Sequence, residues 1–122
     1  MNTIMKTILL LSIALLFLTC DKDDSTYLVN KIDVIIKNSE DYNYDLNISG
    51  DEEGAVIKVQ AKHFQISELI RNSSTNWNVV YQYQPEANYV GADYIEIEAC
   101  TGGQGVNCTN TEIVRINFTI TD

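Results

Sequence analysis

Few residues of this chain have a type and spacing that suit catalysis. Glu96 and Glu98 lie two positions apart in an alternating stretch, so both carboxylates should point to one face of a strand, about 6.5–7 Å apart at the backbone. Paired carboxylates at such a separation could serve a glycosidase. A solvated strand face that Arg115 partly neutralises explains the same pattern. We favour the solvated face and keep a small glycan hydrolase as the last alternative.

Nucleophilic, phosphate and zinc chemistry have less support. His63 is the only histidine, and no nucleophile-elbow pattern surrounds a serine. The glycine-rich segment Thr101 to Gly105 lacks the following helix that would cradle a phosphate. One histidine and no second cysteine pair disfavour a zinc site. We predict a protein that is not an enzyme and that uses no metal and no cofactor.

A calcium loop is the remaining metal hypothesis. Asp41-x-Asn43-x-Asp45, with Glu52 at the twelfth place, has the ligand spacing of an EF-hand. Its sixth place is Leu46 where that loop needs glycine, and the even positions form a continuous apolar face. A strand is the better interpretation, and a looser calcium site in the turn that follows stays open.

The N-terminus carries an apolar run, Ile8 to Leu18, that only Ser12 interrupts. It is shorter than the roughly 20 residues that a bilayer span needs, and it has the length of a signal-peptide core. The run ends at Thr19-Cys20, and four charged residues follow. This pattern predicts an exported protein.

A small residue followed by cysteine after an apolar run resembles the signal of bacterial lipoproteins. The resemblance implies that residues 1–19 are a lipoprotein signal peptide and that Cys20 is lipidated; an ordinary signal peptide with a chance cysteine is the alternative. Cys20 to Asp24 (CDKDD) also resembles the acidic export signal that sends Bacteroidota lipoproteins to the outer face of the outer membrane. Residues 20–30 would then be an acidic tether on a membrane anchor.

Cys100 and Cys108 remain once Cys20 is assigned to the lipid. An exported protein meets an oxidising compartment, so a disulfide between these two residues is expected. It would close a short loop and stabilise the fold by about 2.6 kcal/mol on the chain-entropy estimate.

The charge balance of the chain is strongly acidic. All 17 Asp and Glu residues and seven of the eight Lys and Arg residues follow residue 19, so the chain without its signal carries a formal charge of −10. Such a surface argues against nucleic acid and anionic membranes as electrostatic partners. It suits an extracellular protein that binds cations or neutral ligands.

Alternation of apolar and polar residues indicates strands over most of the remaining chain. It covers 32–36, 42–49, 57–62, 77–84, 94–99 and 114–120, and Trp77 belongs to the apolar face of the fourth of these stretches. The segment 63–71 is ambiguous, and we interpret it as a strand that ends in a short helical turn. Six or seven short strands in about a hundred residues predict a β-sandwich.

The stretch Tyr81 to Ile97 contains YQYQP and then YVGADYIEI. It resembles the late strands of bacterial immunoglobulin-like and cadherin-like domains, and the resemblance covers about forty residues up to Ile120. The chain departs from the family in its cysteine-bracketed loop and its early strands. The resemblance implies an immunoglobulin-like antiparallel β-sandwich of about seven strands over residues 31–122, and a role in surface binding or adhesion.

The predicted faces constrain the disulfide. Core positions are odd-numbered before the cysteine loop, as at Ile95, and even-numbered after it, as at Val114. Directly opposed residues share a face, so core pairs should sum to an odd number, whereas Cys100 and Cys108 sum to an even one. We predict a disulfide at the loop mouth, with either a bulge near 113–114 or a one-residue offset.

The cysteine loop is the best candidate for a ligand site, since loops at the ends of sandwiches commonly carry binding. A stapled hairpin tip without a ligand is an equal alternative. Two tyrosines could add flat surface for a protein or a sugar, although they could equally be core or corner residues. The candidate ligand-binding residues are Tyr89, Tyr94, Thr101, Gly102, Gly103, Gln104 and Gly105.

Together these features predict a lipid-anchored, surface-exposed outer-membrane protein. Its sandwich would be a non-enzymatic binding or accessory module of an outer-membrane assembly or adhesion system, with a protein or glycan partner and no nucleic acid. The alternative is a structural subunit that assembles by pairing an edge strand with a partner.

Overall fold

The computed structural model describes residues 28–102, 108 and 110–122. Within them the chain forms seven strands in two packed sheets, which confirms the predicted all-β sandwich. The strands are β1 (Leu28–Lys37), β2 (Tyr42–Asp45), β3 (Gly54–Val59), β4 (Phe64–Ile70), β5 (Val80–Pro85), β6 (Gly91–Thr101) and β7 (Asn110–Thr121), and a 3₁₀ turn spans Ser73–Thr75.

The strand order is immunoglobulin-like with one strand moved. The four-stranded sheet has the order β1-β7-β6-β3, and the three-stranded sheet has the order β2-β5-β4. In a constant-type immunoglobulin domain the first strand lies in the sheet of the second, fifth and fourth strands. Here β1 joins the other sheet instead, beside the last strand.

The pairing of β1 with β7 is parallel, which corrects the prediction of a wholly antiparallel sandwich. The other four strand pairs are antiparallel, as predicted. The reason is topological, because no hairpin joins β1 to β7 and so none fixes their relative direction. β1 runs toward the turn that leads to β2, and β7 ends beside that turn, where Asn38 N–H donates to Thr121 O at 2.7 Å.

The core lies between the two sheets and consists of the residues whose alternation the sequence displays. Tyr83 and Phe118 stack across it with ring centroids 4.1 Å apart. The two faces of β6 and β7 are those predicted, with core positions odd in β6 and even in β7. The largest fully buried side chains are Tyr81, Tyr83, Phe118, Ile48, Ile95, Ile97, Ile116, Ile120 and Pro85.

Several element boundaries differ from the prediction. β1 begins at Leu28, so the last three residues assigned to the tether belong to the first strand. The strand predicted over 42–49 ends at Asp45, because Asn47 adopts a left-handed backbone with φ 57°. Segment 63–71 forms a strand over Phe64–Ile70, and the helical turn comes later, at Ser73–Thr75.

Trp77 is a further correction, since it is 60% exposed rather than part of the core. Asn76 and Trp77 both have positive φ values, 52° and 63°, which break the alternation that continues through Val79 and Tyr81. β5 therefore begins only at Val80, and Pro85 ends it as predicted.

The ladder between β6 and β7 is regular from Gly91 to Thr101, so the bulge predicted near 113–114 is wrong. Core pairs do sum to an odd number, as with Ile95 opposite Ile116. Cys100 pairs with Thr111, and Cys108 lies before the first residue of β7. The disulfide therefore joins the ladder to the loop mouth, without a direct cross-strand pair.

Candidate binding surface at the disulfide end

β6 separates the predicted ligand-binding residues instead of gathering them. Thr101 and Gly102 lie at its C-terminal end, which we call the disulfide end of the sandwich, whereas Tyr89 precedes its first residue at the opposite end. Gly103, Gln104 and Gly105 lie outside the described residues, as does Cys20. The eleven residues of β6 span about 35 Å, so Tyr89 and Thr101 cannot contact one small ligand.

Tyr89 is a corner residue. Its ring stacks on that of His63 with centroids 3.9 Å apart and planes within 5°, and its hydroxyl donates to Ala92 O at 2.7 Å. Gly91 has a φ of 150°, and a Cβ there would lie 2.8 Å from the Tyr89 hydroxyl. The aromatic-x-Gly spacing therefore shapes the turn into β6.

Tyr94 belongs to an interlocked face of the four-stranded sheet. The Arg115 guanidinium carbon lies 4.0 Å from the centre of its ring. Arg115 also donates to Glu96 Oε1 at 2.7 Å, and Lys58 Nζ lies 3.5 Å from Glu98 Oε2. Each carboxylate considered for hydrolysis thus faces a basic side chain, as in a solvated strand face.

The disulfide between Cys100 and Cys108 is present, with an S–S distance of 2.00 Å and a Cα–Cα distance of 5.7 Å. It holds the mouth of the cysteine loop beside the turn before β3, because Gly54 pairs with Cys100. The predicted disulfide is confirmed.

Arg71 ties two further loops together at this end, since its guanidinium donates to backbone carbonyls of both. Nε donates to Trp77 O at 2.9 Å, and Nη1 donates to Glu53 O at 2.9 Å. Nη2 donates to Ser49 O at 2.7 Å and to Gly50 O at 2.8 Å. One side chain thus fixes the turn before β3 against the loop before β5.

Glu53 connects that turn to the cysteine loop. Its Oε2 accepts from Gly50 N–H at 3.1 Å, and its Oε1 accepts from Gly102 N–H at 3.3 Å. The backbone hydrogen bonds from Gly50 and then Gly102 lower the pKa of this carboxyl from its usual value. At neutral pH the Glu53 carboxylate is ionised and links two loops that are distant in sequence.

Trp77 is the large aromatic side chain that this loop cluster exposes. A bulky residue with a positive φ is an outlier, and such backbone persists only where its surroundings impose it. The surroundings here are the bond from Arg71 to Trp77 O and the bond from Trp77 N–H to Asn72 O, at 2.9 Å each. The backbone of Trp77 is therefore held while its indole is free to contact another molecule.

An open depression of about 310 Å³ lies beside the disulfide. Its lining includes Gly54, Val56, Glu98, Cys100 and Cys108. Val56 is 53% exposed there, so the depression offers apolar surface next to the Lys58–Glu98 ion pair. Its volume falls at the lower end of the range of small-ligand sites.

The described part of the chain contains no group of three or more His, Cys, Asp or Glu residues arranged to hold a metal ion. The first part of the stretch with EF-hand spacing forms β2 (Tyr42–Asp45), as the strand interpretation predicted, and the rest lies outside the strands. Within residues 28–102, 108 and 110–122 there is also no helix long and apolar enough to cross a membrane.

Sequence reasoning missed Arg71, Glu53 and Trp77 as parts of this surface. Arg71 and Glu53 act through backbone groups, which leave no pattern in a sequence. Trp77 did carry a signal, because it follows six consecutive polar residues and precedes Asn78. A single aromatic in such a run is typical of a loop as well as of a strand.

Comparisons with known proteins assign no family. No family model matches the sequence, and no curated protein matches it. A 2,6-sialyltransferase from Photobacterium sp. JT-ISH-224, solved with CMP and lactose, is 13% identical with a TM-score of 0.44 over 80% of this chain and 18% of its own. Plasmodium falciparum protein Pf12p is 12% identical with a TM-score of 0.42 over 76% of this chain and 42% of its own. The chain thus spans less than half the length of either protein.

Proposed function

We propose that the chain is a surface lipoprotein of the outer membrane, anchored through Cys20, and that its sandwich is a non-enzymatic binding module. The observation that carries the binding role is the loop cluster at the disulfide end, where hydrogen bonds to Arg71 and Asn72 hold the strained backbone of an exposed Trp77. Exposed tryptophans on fixed backbone are frequent binding hot spots, for protein partners as for sugars.

The course of β1 supports a position of this surface near the proposed anchor. Leu28 pairs with Glu112, one rung from the Cys100–Thr111 pair, so the chain enters the sandwich at the disulfide end. The eight residues from Cys20 to the first strand can reach about 27 Å at most. A partner in the same membrane can therefore contact the disulfide end, which favours an accessory subunit of an outer-membrane assembly.

The charge of the chain supports a protein or neutral glycan partner. A formal charge of −10 without the signal opposes binding to nucleic acid or to anionic lipid headgroups. The ion pairs of Glu96 and Glu98 support the non-enzymatic role, because each carboxylate is paired with a basic side chain, Arg115 for Glu96 and Lys58 for Glu98.

The test is purification of the native protein from outer membranes with a mild cross-linker. We expect a stoichiometric partner that Trp77→Gly removes, because glycine accepts the positive φ without strain and deletes only the indole. The control is Val90→Gly, since Val90 is 58% exposed at the opposite end. Retention of the partner by the Trp77 variant, or recovery of no partner, would refute the proposal. Mass spectrometry of the mature N-terminus tests the anchor separately, and an unacylated Cys20 would overturn it.

A second candidate function is assembly through an edge strand. The observation that favours it is β1, a ten-residue strand at the sheet edge with exposed apolar side chains. An edge of this kind presents unpaired backbone groups to another chain.

A further inference from the structure

We propose that β1 is a self-association edge, on which two copies of the chain pair their β1 strands antiparallel around a two-fold axis at Ile32. The two four-stranded sheets would then form one continuous sheet of eight strands. The inference specifies the second candidate function and does not depend on the disulfide end.

Among the described residues, β1 is the edge strand that is neither short nor bulged. Natural sheets block their edges with short strands, bulges, charged side chains or covering segments, and β1 has only the charged side chains. β2 has only four residues, and the ladders of β3 and β4 shift register, between Ile57 and Val59 and between Phe64 and Ile66. β1 pairs with β7 over ten consecutive residues without a shift. Among the four edge strands, β1 therefore offers the longest regular ladder.

The backbone hydrogen bonds show which groups of β1 point outward. Asn38 N–H donates to Thr121 O, so even-numbered residues direct their backbone toward β7. Lys37 points the other way, because its N–H donates to Glu40 Oε2 and its carbonyl accepts from Glu40 N–H. Backbone direction alternates along a strand, so Val29, Lys31, Asp33 and Ile35 present their N–H and C=O groups to the free edge.

The outward-facing residues of two antiparallel β1 strands are complementary to each other in one register. In an antiparallel pair of two β1 strands, odd residues must oppose odd residues for their free groups to bond, so the partner numbers sum to an even value. A sum of 64 places Lys31 opposite Asp33 twice and Val29 opposite Ile35 twice, with Ile32 on the axis. The contacts are two ion pairs and two apolar pairs on one face, and all eight residues are exposed in the monomer.

Neighbouring registers are unfavourable. A sum of 62 opposes Lys31 with Lys31, and a sum of 66 opposes Asp33 with Asp33. Like charges directly opposite destabilise a sheet, so electrostatics selects the sum of 64. The apolar side chains agree with this choice, because of the three registers only the sum of 64 places Val29 (48% exposed) opposite Ile35 (77% exposed).

The experiment is sedimentation velocity over a concentration series, on the mature chain 20–122 with Cys20→Ser to prevent acylation and stray disulfides. We expect a monomer–dimer equilibrium in the wild-type sequence. Lys31→Asp and Asp33→Lys should each weaken dimerisation roughly tenfold or more, because each creates two like-charge pairs. An equimolar mixture of the two variants should form a heterodimer, and the double swap Lys31→Asp/Asp33→Lys should restore the homodimer.

Lys62→Asp is the control, since it changes net charge as Lys31→Asp does at an exposed position outside β1. Register is read separately, because a mixture of Lys31→Cys and Asp33→Cys chains should cross-link on oxidation and neither variant should cross-link alone. A monomer at all concentrations, a dimer indifferent to the charge swaps, or cross-linking of either cysteine variant alone would each overturn the inference. None of these results bears on the Trp77 surface, whose test uses a different partner and a different variant.

Discussion

The Tyr83 hydroxyl donates to the Asp93 carboxylate at 3.1 Å and thereby joins the two sheets of the sandwich. Asp93 is buried and also accepts from the backbone N–H groups of Lys62, His63 and Tyr94, at 2.8–3.2 Å. Asp93 is thus the polar centre of the end of the sandwich opposite the disulfide.

We expect Asp93→Ala to lower the free energy of unfolding by about 3 kcal/mol or more, because it leaves several donors without an acceptor where water has little access. Urea denaturation of the purified mature chain measures this loss. Asp51→Ala, at an exposed turn position, is the matched control and should change stability by less than about 0.5 kcal/mol. Equal effects of the two substitutions would show that Asp93 has no special structural role.

Stability should fall at alkaline pH because of Tyr81 and Tyr83. Burial raises the pKa of both phenols, and the charge of Asp93 raises that of Tyr83 further. Their folded pKa values lie above the unfolded value of about 10, so their stabilising contribution is complete below pH 10 and is lost as the pH rises above it. Each buried tyrosine should reduce the free energy of unfolding by about 1.4 kcal/mol per pH unit in that range.

Urea titrations between pH 8 and 11.5 test this slope. The double variant Tyr81→Phe/Tyr83→Phe should be less stable at pH 8, because it loses hydroxyl hydrogen bonds to Ser67 and Asp93. Above pH 10 its stability should depend less on pH than that of the wild type. Parallel curves for both proteins would contradict the assignment.

Arg71→Lys should loosen the disulfide end while leaving the strands in place. A lysine ammonium cannot reproduce a planar fork that reaches four carbonyls, so we expect a loss of about 1–3 kcal/mol and faster amide exchange in the turn 49–54. Hydrogen exchange with mass spectrometry measures amide exchange in this turn and in the strands. Unchanged exchange in the turn would show that Arg71 does not hold it. We expect no segment of the chain to exchange more slowly than in the wild type.

Removal of the disulfide by Cys100→Ser/Cys108→Ser should lower the free energy of unfolding by about 2.6 kcal/mol on the chain-entropy estimate for a loop of this length. The β6–β7 ladder should persist, because Cys100 pairs with Thr111 through the backbone. Thermal unfolding with and without reductant tests this, since reductant should lower the Tm of the wild type only. A reductant effect of equal size on the double variant would contradict it.

The strand faces could be read from the sequence because burial imposes a period of two. Ile95 and Ile116 are opposed in the core as their parities required, and the cysteines were placed at the loop mouth by the same argument. The bulge was an unnecessary addition. Cys108 simply lies outside the strand, so its parity places no demand on the ladder.

The parallel pairing of β1 with β7 could not be predicted, because alternation defines the faces of a strand and says nothing about its neighbours. The loop cluster at the disulfide end could not be predicted from the sequence either. Arg71 acts through carbonyl oxygens, which every residue has, and Trp77 alternates with Val79 although its positive φ removes it from the strand. Tyr89 and Gly102 are close in sequence, yet an intervening straight strand puts them at opposite ends.

The β1–β7 pairing also constrains when the domain can fold. Asp33 accepts from the Asn117 side chain 84 residues later, and the whole first strand has β7 as its ladder partner. Contacts so distant in sequence form slowly, because the closure of a long loop must precede them. In the exported protein that we propose, β1 leaves the export channel before β7. The four-stranded sheet would then be completed only after β7 has followed it.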